Sequence, residues 1–185
     1  AIEIHKELLI EKYTNEFNFT IVKEDSQIIN TTNVMSFNNQ LALSIIATQI
    51  NDHGFNYKNI ALRNAYDVFL LSKKTVAKTA FNKFINLKNP LNCFLATCYD
   101  VFNKPESLQY TNTTEIEAYI KSFNKLLADN KLRIKNYKKI KIALFIKSGC
   151  TIIYKSFFDK TYRNYLLKII KDKNWKQEKL IQLGL

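Results

Sequence analysis

Three glycines and two prolines are all that punctuate 185 residues, and that scarcity limits the fold more than any other feature. Sandwiches and barrels reverse direction at many tight turns, which rely on Gly, Pro, Asn and Asp. Helices joined by short polar links need far fewer. Hydrophobic residues make up 46% of the chain, enough to fill the core of one ordinary domain, or of a small domain with a helical extension. The expected class is mainly α with a small N-terminal β element.

The β element is read from alternation. Ala1-Ile2-Glu3-Ile4-His5 puts Ile2 and Ile4 on one strand face and Glu3 and His5 on the other. Phe17, Phe19 and Ile21 alternate similarly, and Gln27 to Val34 reads as another extended piece. From Ser36 the period becomes helical. Leu41, Ile45, Ile46 and Ile50 recur at helix spacing, with Ser36 or Asn38 as cap and Gly54 as stop. Ile60, Ala61, Tyr66, Phe69 and Leu70 predict a second helix, to about Lys73. Thr75 caps a third, with Val76, Ala80, Phe84 and Leu87 inward, and Pro90 suits the first turn of a fourth that ends before Pro105. Thr113 or Thr114 with Glu117 reads as a capping box, and the helix after it carries Ile116, Tyr119, Ile120, Phe123 and Leu127. Basic helical sequence fills 132–170, with a break expected at Ser148-Gly149, and Trp175–Leu183 closes the chain as a short helix. The expected organisation is a strand-bearing segment 1–35, a helical domain 36–130 and a basic helical region 131–185.

Charge is distributed unevenly. Residues 1–120 hold 11 Lys/Arg against 12 Asp/Glu, whereas residues 121–185 hold 17 against 4. The whole excess of +12 therefore lies in the last third. Such asymmetry points to an anionic partner: nucleic acid, nucleotide or an acidic surface. Asn, Lys, Ile, Phe and Tyr are all abundant, as in AT-rich coding sequence, and that bias also supplies lysine. Lys131, Arg133, Lys135, Lys138 and Lys139 are the densest cluster. Tyr137, Phe145, Tyr154, Phe157, Phe158, Tyr162 and Tyr165 interleave with or follow it. Rings among cations can stack on the bases of single-stranded RNA, but their helical spacing favours packing for each of them. Cys93, Cys98 and Cys150 are odd in number and lack metal-ligand spacing. They read as buried thiols in a reducing cytoplasm. No apolar run is long enough to span a bilayer, so no membrane partner is expected.

No Ser-His-Asp order, Cys-His pairing, P-loop or dinucleotide fingerprint is present, which leaves hydrolase and dehydrogenase readings without support. With two histidines in the chain, His53 after Asp52 has no partners for a His-rich zinc site. The stretch Leu41–Leu71 is more specific. Two apolar-periodic segments flank Asn51-Asp52-His53-Gly54, and the second reads Leu62-Arg63-x-x-Tyr66-Asp67-x-x-Leu70-Leu71. Together with the opening AIEIHKELL, it resembles the helical half of the uncharacterised nucleotidyltransferase family, a branch of the polymerase-beta-like superfamily. The resemblance covers residues 1 to about 75.

The resemblance implies transfer of a nucleotide from a Mg²⁺-bound NTP to an unidentified acceptor. Glu3 would be the metal-side catalytic carboxylate and Asp67 a second catalytic carboxylate. Arg63 would meet a phosphate, and the basic helices would hold the triphosphate or a polyanionic acceptor. The superfamily's Gly-Ser turn and Asp-x-Asp strand are absent. Ala1 also lies inside a strand pattern, so the chain is expected to be the C-terminal part of a longer enzyme, inactive alone. The alternative is a non-enzymatic helical module that binds nucleic acid or an acidic protein through its basic face. A degenerate nucleotidyltransferase acting as a scaffold is a third reading.

Overall fold

The computed structural model describes Leu9, residues 13–172 and residues 174–183. The strand expected at residues 1–5 lies outside them. Among the described residues the fold is mainly α with one small β hairpin near the N-terminus, consistent with the turn-poor composition. It divides into two compact units, Ala1–Leu126 and Leu127–Leu185.

In the first unit, α1 (Phe19–Glu24) replaces the extended piece expected over Phe17 to Val22. The Asn18 side chain accepts the Ile21 N–H at 3.0 Å and so caps a helix. Phe17 and Val22, five residues apart, are buried, while Phe19 is exposed. Strands β1 (Ser26–Ile29) and β2 (Thr32–Met35) pair antiparallel, with Ile29 opposite Thr32. The linking residues Asn30 and Thr31 both have positive φ, 47° and 67°, the backbone of a two-residue turn that matches strand twist.

Helix α2 (Phe37–Ile46) starts at Ser36, whose hydroxyl accepts the Asn39 N–H at 3.3 Å, and runs into a π-helical turn over Ala47–Asn51. Gly54 does not stop this helix; it opens the short α3 (Gly54–Tyr57), and His53 takes the left-handed conformation instead. Glycine is needed at position 54 for a close approach. A Cβ there would lie 2.6 Å from the Thr48 carbonyl oxygen and 2.8 Å from Gln49 Nε2. Helix α4 (Leu62–Ser72) packs on α2 through Ala65 and Val68, and the Asn64 side-chain amide donates to the Ser44 carbonyl at 2.7 Å. Helix α5 is Ala77–Ala80, with no side-chain cap and with Val76 exposed rather than inward. Thr75 bonds the Asn38 side chain instead of capping.

Helix α6 (Lys88–Val101) has Pro90 in its first turn and is buried from Pro90 through Cys98. Leu91, Phe94, Leu95 and Cys98 join the larger core with Phe17, Leu41, Ile45, Val68 and Phe84. Cys93 and Ala96 face a second core built with α7 (Thr114–Ala128), through Ile116, Tyr119 and Phe123. Phe55 of α3 stacks on Tyr119 with ring centroids 5.3 Å apart. At the start of α7, Thr113 accepts the Ile116 N–H while Glu117 takes the Asn112 side chain, so the expected capping box does not close. Leu126 rather than Leu127 is the buried residue of its last turns.

Glu16 ties the segment before α1 to the start of α6. Its carboxylate accepts the N–H groups of Ile85 at 2.8 Å, Asn86 at 2.9 Å and Leu87 at 3.2 Å, and the Asn86 side-chain amide at 2.6 Å. Burial alone raises its pKa, but the hydrogen bonds from the Asn86 side chain and the three backbone N–H groups outweigh it and hold the group below its ordinary 4.5. A depressed carboxylate stabilises the fold above the unfolded pKa and loses that contribution as pH falls through the folded one. Glu16→Gln is therefore expected to be less stable than wild type at pH 7. The gap between their urea midpoints should shrink steadily below pH 4.5, and a gap independent of pH would contradict this role.

Candidate nucleic-acid interface

The two residues singled out on α4 take different surroundings. Arg63 and Asp67 stand one turn apart, Arg63 exposed and Asp67 half-buried, and they form no ion pair with each other among the described residues. The buried face of α4 is set by Ala65, Val68 and Ser72, which leaves Asp67 at its margin. There it lines an open depression of about 480 Å³ with Met35, Gln40, Leu43, Ser44, Leu70 and Leu71. Arg63 is not among the lining residues. The walls are mostly apolar, and Asp67 is their one carboxylate.

Glu3, expected to be the metal-side carboxylate, lies outside the described residues. Protein sites for Mg²⁺ use carboxylates together with substrate phosphates and water in an octahedron. Among the described residues, no group of three or more His, Cys, Asp or Glu converges as a metal site would require. A lone Asp67 in an apolar depression does not fit the ion. Cys93 offers no nucleophile, because burial pushes its thiol up to about 12, outweighing the field of Lys58. Cys150 is exposed, not buried as expected.

The second unit has a different character. Helix α8 (Asn130–Ser156) runs unbroken through Ser148-Gly149 for 27 residues. The break expected there falls instead at Phe157–Asp159, before α9 (Lys160–Lys171). A Cβ on Gly149 would meet nothing within 4 Å, so no steric feature demands glycine, and the surrounding helix absorbs its cost of about 1 kcal/mol. The short link turns α9 back along α8, and Arg163 donates to the Ser156 and Phe157 carbonyls at 3.1 and 3.2 Å. That guanidinium satisfies orphan acceptors at the negative end of the α8 dipole. Helix α10 (Trp175–Leu183) meets α8 through the Phe145 and Trp175 rings, 6.2 Å apart, and through the Lys141 ammonium, which donates to the Gln182 carbonyl.

On α8 the spacing i, i+4, i+7, i+8 brings Lys131, Lys135, Lys138 and Lys139 to one face. Arg133 projects from the other side, with its guanidinium on the Asn130 side chain at 2.8 Å. All five residues are exposed. The acids of this unit are placed elsewhere. Residues 127–185 contain 15 Lys/Arg and four Asp/Glu: Asp129, Asp159, Asp172 and Glu178. Asp129 caps α8 by accepting the Leu132 N–H at 2.9 Å, and Asp159 caps α9 by accepting the Thr161 N–H at 2.7 Å. Asp172 accepts the Asn174 and Trp175 N–H groups ahead of α10, and Glu178 lies in the first turn of α10. All four thus lie at helix N-termini, three of them as hydrogen-bonded caps, where a carboxylate offsets the positive end of the dipole. The lysine face of α8 keeps its charge. The sequence signal for this is an Asp directly before α8 and another directly before α9.

The aromatic residues of this unit were expected to pack. Tyr154, Phe157 and Phe158 are exposed instead, and Phe145, Tyr162 and Trp175 are half-buried. Among the described residues, no helix is long and apolar enough to cross a membrane. No protein-family model matches the chain, and neither a curated protein nor a solved structure matches it.

An exposed arginine with no ion pair among the described residues adds little to stability. Arg63→Ala is expected to stay within about 0.5 kcal/mol of wild type in urea unfolding. A loss above about 1 kcal/mol would mean that Arg63 holds Asp67 or another buried partner.

Proposed function

We propose that this chain binds nucleic acid through its basic helical unit, residues 127–185, with Lys131, Lys135, Lys138 and Lys139 of α8 meeting the phosphates. The observation that carries this reading is the placement of the acids. Three of the four accept N–H groups at helix N-termini, the fourth lies in the first turn of α10, and none forms an ion pair with the lysine face among the described residues; a polyanion supplies counter-charge there while releasing its own counterions. Nucleotidyl transfer from Mg²⁺-NTP has no comparable support. Glu3 lies outside the described residues, and Asp67 stands apart from Arg63 in an apolar depression.

The test is the affinity for labelled oligonucleotides as a function of salt. Wild type is expected to bind with log K falling linearly in log salt concentration. Replacing Lys131, Lys135, Lys138 and Lys139 with Gln should flatten the slope by roughly one for each phosphate contact removed. Binding that ignores salt, or that survives the four substitutions with its slope unchanged, would overturn the reading.

A further inference from the structure

The turn between α8 and α9 carries three large rings that the fold leaves in solvent. Tyr154 is 67% exposed, Phe157 70% and Phe158 78%. Tyr154 and Phe158, four residues apart, lie with ring centroids 5.5 Å apart and tilted by 60°. Rings exposed in a cluster mark a surface that something covers. The one acid at this turn, Asp159, is held by its capping bond to Thr161.

Phe157 lies on the same side of α8 as the basic face, about 27 Å beyond Lys139 at 1.5 Å per residue. Along α8, Phe157 follows Lys135 by 22 residues and Lys139 by 18, both close to whole numbers of turns, so the three share one line of the helix. That line is about 33 Å long at 1.5 Å per residue. Its occupant has to offer negative charge at one end and flat apolar faces at the other. A second copy of this chain fails the first requirement, because two such basic surfaces repel. A helix lying on an anionic membrane sets its cations and its apolar residues on opposite faces, whereas here they succeed one another on the same line. A duplex meets the charge but keeps its bases stacked inside. A single strand meets both requirements, and stacking on exposed rings is indifferent to sequence because every base has a π-face.

We propose that the α8–α9 hairpin takes single-stranded nucleic acid, its phosphates along Lys135 and Lys139 and its bases stacked on Tyr154, Phe157 and Phe158. This rests on the nucleic-acid reading above and specifies its ligand. The experiment uses the full chain and fluorescence anisotropy with labelled oligo(dT) and oligo(U) of about 15 nucleotides, within the usual site sizes, and a duplex of the same length. The variant Tyr154→Leu, Phe157→Leu, Phe158→Leu keeps the apolar character and removes the rings. Phe158→Leu alone, at the most exposed position, serves if circular dichroism shows the triple variant misfolded.

Single strands are expected to bind about tenfold or more tighter than the duplex. The triple variant should lose roughly 10- to 100-fold for single strands, the scale of base–aromatic stacking, with duplex binding unchanged. Equal affinity for single strand and duplex, with no loss in the leucine variants, overturns the stacking proposal and leaves phosphate binding standing. No binding to any oligonucleotide overturns both. Co-sedimentation with phosphatidylserine vesicles, without oligonucleotide binding, assigns the rings to a lipid surface and also overturns both.

Discussion

Burying one helix on almost every side organises the first unit. Nine consecutive residues of α6, Pro90 to Cys98, are buried, so neighbours must cover it on opposite flanks. The α2 and α4 helices and the Phe17 segment close one side, and α3 with α7 closes the other. Glu16 accepts three backbone N–H groups where the chain enters α6 and so anchors the segment before α1 to that helix start. The α2–α4 pairing also leaves the margin where Asp67 sits as an open apolar depression.

The second unit follows a different logic. Its three helices are joined by links too short to let them wander, and its acids sit at their N-termini. The buried side chains described in it are Ser156 and Leu183. A unit that buries so little draws its helical stability from caps and from contacts along the hairpin, and its rings and ammonium groups remain outside. That is a poor way to make a core and a good way to make a charged, ring-bearing surface. We propose the chemistry of this surface, rather than the margin of α4, as the functional one.

The sequence carried most of the helical order. Ser36 caps α2, Pro90 sits in the first turn of α6, and Trp175–Leu183 is a helix as its pattern implies. Other features depended on tertiary context. Phe17, Phe19 and Ile21 alternate like a strand, but Phe17 and Val22 are the residues buried in the core and the segment is a helix capped by Asn18. Gly54 resembles a helix stop, but the close approach of the Thr48 carbonyl is what requires it. Gly149 resembles a break, but nothing crowds it and α8 runs through.

The candidate site was less legible for a related reason. Spacing told which residues share a helix face but not whether anything covers that face. Lys131, Lys135, Lys138 and Lys139 were readable as a cluster, while the exposure of Phe157 and Phe158 was not. An i, i+4 spacing permits an Arg63–Asp67 pair without enforcing it. The measurement that bears most directly on the basic unit as the functional surface is an NMR titration of the isotope-labelled full chain with a single-stranded oligonucleotide. The account predicts shift changes concentrated at Lys131–Lys139 and at the Tyr154–Phe158 turn. Changes centred on Asp67, Leu70 and Ser44 instead, or none at saturating oligonucleotide, would contradict it.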